Sequence, residues 1–282
     1  MLIARTIEEL RNTIASRSYK SLGFVPTMGA LHEGHLSLIQ KAFEQNDLVV
    51  VSVFVNPTQF GPNEDFDKYP RNYSRDIEIL QTAGVHILFL PEIETMYPLG
   101  HEVEIRLPKI SSILCGKFRP GHFDGVALIL TKFFNILRPN KAYFGQKDYQ
   151  QTIIVKKLVE QLFWEIEIVV CPTVRDEDGL AKSSRNQYLS AQERKNALIL
   201  YQTLLWVASQ VSVSRDLKFL AEQARQRLIS APSIKLEYFE ILRARDLEPI
   251  DFLVENAIAL GAIYVNNTRL IDNILLTVEN LN

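Results

Sequence analysis

Apolar positions along the chain recur with two periods, and their alternation predicts the architecture. Leu22 to Val25 is a short apolar run of the kind that ends a buried strand, and Pro26 is expected to stop it from continuing as a central strand. From His35 onward, Leu36, Leu38, Ile39 and Ala42 recur at helical spacing. Asp47 to Val55 holds a β-branched run suited to a strand covered on both faces of a parallel sheet. A helix over 72–83, a strand over Val85–Leu90 ended by Pro91, and a helix running to about Leu137 follow. A strand over Lys141–Phe144, a helix through Glu160 and a strand over Glu165–Val170 continue the series. Residues 5–17 read as a helix with Ile7, Leu10 and Ile14 on one face, and 101–107 as an extra strand. Strand, helix, strand at this spacing is βαβ repetition, which predicts an α/β fold: a Rossmann-like, doubly wound parallel sheet.

The texture changes near residue 187. Helices over 190–210 and 215–230 precede three runs that read as strands, Leu236–Leu242, Ala257–Val265 and Arg269–Ile274. They predict a smaller C-terminal α+β domain with its own apolar supply. The expected division is a Rossmann-like domain over 1–175, a polar hinge and phosphate-binding loop over 176–186, and the small domain over 187–282. There is no internal repeat and no low-complexity segment.

Composition narrows the function classes. The chain has 282 residues, 47% hydrophobic and 23% charged, which are ordinary globular values. A formal charge of −2 argues against a nucleic-acid partner, whose binding face brings a basic excess. Cys115 and Cys171 make no disulfide or metal framework and are expected as free thiols. Met1 to Asn12 carries Glu8 and Glu9 and lacks the apolar core of a signal peptide, and no apolar run approaches membrane-spanning length. A soluble, cytoplasmic protein with no membrane partner is the expectation.

The chemistry concentrates where predicted strands end. Phe24 to Ile39 reads as strand, Gly-containing loop and helix N-terminus, with His32 and His35 at the junction. Gly29 and Gly34 allow close approach of a ligand, and a helix N-terminus suits phosphate. The loop lacks the Gly-Lys-Ser/Thr ending of a Walker A loop and any G-x-G-x-x-G. His32-Glu33-Gly34-His35 is one residue short of H-E-x-x-H, and a two-histidine metal site would have no third Cys or His nearby. Asn56 and Gln59, in the loop after the 47–55 strand, either face a ligand or cap the turn. Gly145-Gln146-Lys147-Asp148 is expected as a second strand, Gly loop and helix start, where Lys147 is either a phosphate contact or a solvated side chain beside an Asp cap. Arg119 and His122, before a helix, either bind an anion or fix the loop, and the residues alone favour the second. Lys182-Ser183-Ser184-Arg185 is dense in anion donors, against the simpler reading of a linker with a capping serine; Ser190 is the better cap for the next helix. No Ser-His-Asp set or Cys-His pair is apparent, so covalent catalysis is not expected. Three anion-suited loops, at 26–35, 145–151 and 182–185, suggest a nucleoside triphosphate at the sheet edge with a loop over its phosphates.

Pro-Thr-Met-Gly-Ala-Leu-His-Glu-Gly-His at 26–35 resembles the HxGH signature of the nucleotidyltransferase superfamily, and specifically of the pantothenate synthetase (pantoate–β-alanine ligase) family. The blocks at 54–60, 68–71, 119–126, 144–151 and 178–186 look like that family's blocks in family order, so the resemblance covers nearly the whole chain. It implies an AMP-forming ligase that condenses pantoate with β-alanine through a pantoyl adenylate, using ATP with Mg²⁺ bridging its phosphates and no fixed protein metal site. It implies His35, at the position assigned as proton donor, with His32 and Lys147 as the catalytic residues. The ATP contacts it implies are Pro26, Thr27, Met28, Gly29, Ala30, Leu31, His32, Glu33, Gly34 and His35 on the first loop. Gly145, Gln146, Lys147, Asp148 and Val174 would surround the adenosine, and Ser183, Ser184 and Arg185 would hold the β- and γ-phosphates. Lys182 departs from the family pattern as a charged residue beside that group, either a further phosphate contact or a solvated side chain. Gln59 and Gln151 match the pantoate-binding glutamines, with Asn56 assisting. The small domain would be a lid that keeps water from the adenylate, and the assembly a homodimer. Two readings of the same motifs stand beside this one: a nucleotidylyltransferase acting on a phosphorylated vitamin, which would not need Gln59 and Gln151, and a non-catalytic nucleotide sensor. A class I tRNA synthetase would need an anticodon-binding module and a basic face, and neither is seen.

Overall fold

The computed structural model describes residues 1–62, 64–100 and 102–278. Two compact units divide the chain: Met1–Gly145 with Ile154–Pro172, and Gln146–Ile153 with Thr173–Asn282.

In the first unit, β1 (Leu2–Ala4) leads into α1 (Ile7–Ala15), capped by Thr6 in a reciprocal box with Glu9. β2 (Leu22–Thr27), α2 (Glu33–Gln45), β3 (Leu48–Val53), α3 (Tyr73–Thr82) and β4 (Ile87–Phe89) follow. Two short helices, α4 (Ile93–Met96) and α5 (Leu114–Phe118), precede the long α6 (His122–Leu137) and β5 (Lys141–Gly145). α7 (Tyr149–Gln161) connects to β6 (Glu167–Cys171). The six strands form one sheet in the order β1-β4-β3-β2-β5-β6, and every pairing is parallel. All six residues of β3 are buried, as its β-branched run requires. Strand order reverses at β2 and β5, so the carboxyl end of β2 lies at the topological switch point, where open α/β sheets bind ligands.

Three details differ from the sequence expectation. Pro26 does not end β2, which runs to Thr27 with Pro26 opposite Ser52. Pairing with β5 covers only Gly23 and Phe24, so Pro26 lies where the strand has one hydrogen-bonded neighbour, a setting that tolerates a missing N–H. The extra strand expected over 101–107 is absent from the described residues 102–107, and His101 lies outside them. β1 has no counterpart in the prediction, because three residues with Leu2 and Ile3 exposed carry no burial pattern.

The second unit begins with a 3₁₀ turn, Gln146–Asp148, and the first residues of α7, then resumes at Thr173. α8 (Ala191–Gln210) is capped by Ser190 in a box with Glu193, as expected, and α9 (Leu217–Ile229) by Asp216. β7 (Ile234–Arg243), β8 (Ala257–Val265) and β9 (Thr268–Leu276) form an antiparallel sheet in that order. Leu200, Leu204, Val207, Leu220, Leu228, Phe239 and Ile263 close its core. No helix among the described residues is long and apolar enough to cross a membrane.

Candidate functional site

In the first unit the site grows from the carboxyl ends of β2 and β3. Thr27 Oγ1 donates to the Ser52 carbonyl at 2.7 Å and accepts the Gly29 N–H at 3.2 Å, closing the turn that leaves β2. Gly29 and Ala30 then take positive φ of 81° and 50°. Asp76 of α3, 2% exposed, holds this strained corner by accepting the Ala30 N–H at 3.0 Å and the Leu31 N–H at 2.9 Å. A Cβ on Gly29 would stand 2.7 Å from Asp76 Oδ2, so glycine is required by clearance as well as by φ.

The corner delivers His32 to the N-cap of α2 and His35 to its first turn. His32 Nδ1 accepts the Gly34 N–H at 3.1 Å, and His35 Nδ1 accepts the His32 N–H at 3.3 Å, an imidazole form of the capping box. With both Nδ1 atoms accepting, each neutral ring carries its proton on Nε2. Ring centroids 4.1 Å apart bring two such donors to one helix N-terminus, which already favours negative charge.

Gln59 joins this loop from the end of β3. Its Nε2 donates to Met28 Sδ at 2.9 Å, and the side chain is buried. Asn56 is 1% exposed and fully engaged: Nδ2 donates to Gln59 Oε1 and the Gly125 carbonyl, while Oδ1 accepts from Thr58 and the Tyr97 hydroxyl. Asn56 therefore orients Gln59 and anchors the 3₁₀ turn Pro57–Gln59 to α6. Burial pushes the Tyr97 hydroxyl up from its ordinary value, more than its bond to Thr58 lowers it.

Arg119 and His122 fix the same turn. Arg119 grips Glu64 through Nε at 2.8 Å and a terminal nitrogen at 2.5 Å, and donates to His122 Nε2 at 3.0 Å. His122 then carries its proton on Nδ1, which donates to the Gln59 carbonyl at 2.8 Å. Gly125 permits the close approach of α6, since a Cβ there would lie 2.2 Å from the Thr58 carbonyl oxygen. Asp76 and Gly125 are supporting residues that sequence reasoning missed; Gly125 stood inside a block already singled out, while Asp76 had no local signal.

The remaining predicted residues belong to the second unit, except Gly145, the last residue of β5. The Gly loop expected over 145–151 is instead the single turn Gln146–Asp148, which runs directly into α7. Lys147 Nζ lies 3.6 Å from Asp148, and Gln151 is half-buried in the first turn of α7. Asn273 of β9 donates to the carbonyls of both Gln146 and Lys147.

Residues 174–182 form a hydrogen-bonded hairpin. The Lys182 N–H donates to the Val174 carbonyl and the Asp176 N–H to the Leu180 carbonyl, with Gly179 at φ 95°. Lys182 Nζ meets Asp176 at 2.6 Å, an ion pair that the sequence reading did not include. Arg194 binds the other Asp176 oxygen and Asp178. Burial would raise the Asp176 carboxyl, but the bonds from Lys182 and Arg194 outweigh it and hold it below the usual carboxylate range. Ser183 caps the 3₁₀ helix Ser184–Tyr188 by accepting the Arg185 N–H at 3.3 Å. The capping role set against an anion role in the sequence is thus present in the fold.

Among the described residues no group of three or more His, Cys, Asp or Glu side chains is suited to a metal ion. Cys115 and Cys171 are buried, and neither is placed in a disulfide.

Comparison with known proteins converges on one family. The family model for pantoate-beta-alanine ligase matches residues 2–275. The pantothenate synthetase of Moorella thermoacetica is 45% identical over 282 residues, 99% of this chain and 100% of that protein. That of Aquifex aeolicus is 48% identical over 276 residues, 96% and 98% of the two chains. The crystal structure of pantothenate synthetase from Thermus thermophilus superimposes with a TM-score of 0.92 at 42% identity, covering 97% of this chain and 99% of that one. A pantoate-beta-alanine ligase from Francisella tularensis, complexed with beta-gamma ATP and beta-alanine, gives a TM-score of 0.80 at 39% identity, covering 98% and 97%.

Proposed function

The chain belongs to the pantoate–β-alanine ligase family, and we propose that it condenses pantoate with β-alanine in two steps driven by ATP. The pantoate carboxylate attacks the α-phosphorus of ATP, the bond to the β-phosphate breaks, and pyrophosphate leaves. The β-alanine amine then attacks the carbonyl of the pantoyl adenylate, loses a proton, and AMP departs. A carboxylate alone is a poor acyl donor, so adenylation supplies the leaving group.

The observation that best supports this reading is the paired imidazole cap. His32 and His35 each direct a proton-bearing Nε2 from a helix N-terminus, donors suited to the charge that develops on the phosphoryl oxygens. His35 is the proton donor to the departing pyrophosphate. Met28, Gly29 and Gly34 line the nucleotide. Gln59 recognises the hydroxyls and carboxylate of pantoate, with Gln151 as its counterpart, and Asn56 acts through Gln59 rather than on substrate.

In the second unit, Lys147 is the point charge for the phosphates, and Ser184 and Arg185 hold the β- and γ-phosphates, with Ser183 shaping their backbone. Gln146, Asp148 and Val174 belong to the adenosine contacts. Lys182 contributes by holding Asp176. Magnesium would arrive on ATP and would offset the charge of its phosphates. The same reading makes the protein a cytoplasmic homodimer. Buried thiols outside any disulfide suit a reducing compartment, and the dimer rests on the family likeness.

Incubation with ATP, Mg²⁺ and pantoate should release pyrophosphate only when pantoate is present, with AMP and pantothenate accumulating once β-alanine is added. No pantoate-dependent release of pyrophosphate from folded protein would sink the assignment and leave the nucleotidylyltransferase and sensor readings to be tested.

A further inference from the structure

β9 contains a local contradiction. Its sequence from Leu270 is Leu-Ile-Asp-Asn-Ile-Leu-Leu, and the two polar residues in the middle are buried, Asp272 at 5% and Asn273 at 3% exposure. Aspartate and asparagine are among the poorest strand formers, and burying them is costly unless they are hydrogen-bonded. A strand that breaks its own pattern in this way marks a place where something other than packing is being specified.

Both side chains are satisfied, and by segments distant in sequence. Successive strand residues leave on opposite faces, which lets neighbours hold different partners. Asp272 takes the Arg175 guanidinium at 2.6 and 2.9 Å, and Arg175 in turn donates to the Gly179 carbonyl within the 174–182 hairpin. Asn273 spends both amide protons on the turn before α7, donating to the Gln146 carbonyl at 2.9 Å and the Lys147 carbonyl at 3.0 Å. Its Oδ1 accepts the Gln146 side chain at 3.3 Å, making the clamp reciprocal. Two consecutive carbonyls fixed from one amide define the Lys147 backbone far more tightly than a 3₁₀ turn of three residues does alone.

We infer that Asn273 is a positioning residue for the adenylation step, setting the origin of the Lys147 side chain so that its ammonium meets the phosphates at the reacting distance. The inference rests on the assignment of Lys147 to the phosphates. Asn273 itself touches no substrate; it acts by fixing where a long, flexible side chain begins. Misplacing a contact by about 1 Å is enough to cost on the order of 100-fold in rate.

A double-mutant cycle on the full chain tests this, reading pantoate-dependent exchange of pyrophosphate into ATP, with thermal melting recorded alongside. Lys147→Ala and Asn273→Ala should each lower exchange by roughly 10- to 100-fold. In the Lys147→Ala background, Asn273→Ala should cost less than about 2-fold more, because the residue it positions is gone. The same penalty in both backgrounds, or wild-type exchange in Asn273→Ala, would overturn the inference while leaving the role of Lys147 intact. Wild-type exchange in Lys147→Ala would instead overturn the Lys147 assignment and the inference with it. Should Asn273→Ala not fold, Asn273→Ser, which keeps one donor and removes less volume, takes its place in the cycle with the same expected outcomes.

Discussion

Gly29 and Ala30 hold consecutive positive φ angles, and an ordinary side chain at Ala30 does so at a cost. Asp76 is what offsets that cost, by accepting the N–H groups of Ala30 and Leu31. Removing it leaves two amides of the corner without their carboxylate and frees the peptide that aims His32. Asp76→Ala should lose roughly 2 to 3 kcal/mol of stability in urea unfolding, since both bonds are to a charged acceptor. Adenylation, read as pyrophosphate exchange, should fall further than the stability loss explains; a destabilised variant with wild-type exchange at low temperature would show that Asp76 is structural only. The histidine loop was legible in the sequence because its parts are contiguous: strand end, glycines, cap and helix face all lie within 26–39. Asp76 was not legible, because it reaches Ala30 and Leu31 from 46 and 45 residues away and looks like any polar residue of a helix's first turn. The Asp176 partner of Lys182 was hidden for a related reason: a lysine beside serines shows no carboxylate until the hairpin folds Asp176 back onto it.

Most helices and strands were legible from period and run length, and the misses share a cause. β1 is too short and too exposed to show a period, and Pro26 was read as a stop because the sequence does not show that β5 pairs with only two residues of β2. The turn over 146–148 was read as a Gly loop because a 3₁₀ segment held from β9 has no pattern of its own. At this scale the approach to β3 carries a pH prediction. His86, between α3 and β4, accepts the Val49 N–H on Nδ1 at 3.0 Å, and burial, with Arg17 and the N-terminus adding to it, pushes its imidazole below the ordinary value. A folded pKa lower than the unfolded one means the neutral form stabilises the fold. That stability is fully present above the unfolded pKa of about 6.5 and is lost as pH falls through the folded value. Melting should drop more between about pH 7.5 and 5.5 in the wild type than in His86→Asn, whose amide oxygen can accept the same N–H without titrating in that range. Equal drops in the two proteins would remove His86 from the account.

For the whole molecule, the division of the chain into two units is also a division of chemistry. The first carries the imidazole pair and the buried glutamine, on loops at the carboxyl ends of a parallel sheet. The second carries the lysine turn and the 174–188 segment, both tied to β9 by buried polar side chains. Direct attack of substrate carboxylate on the α-phosphorus is the step we propose these residues to serve. That step leaves an isotopic record. With pantoate labelled with ¹⁸O in its carboxylate, and with ATP, Mg²⁺ and β-alanine present, one labelled oxygen should appear in the phosphate of AMP and none in pyrophosphate. Unlabelled AMP, with pantothenate still formed, would mean the carboxylate never bonded to the α-phosphorus and would contradict the adenylate mechanism.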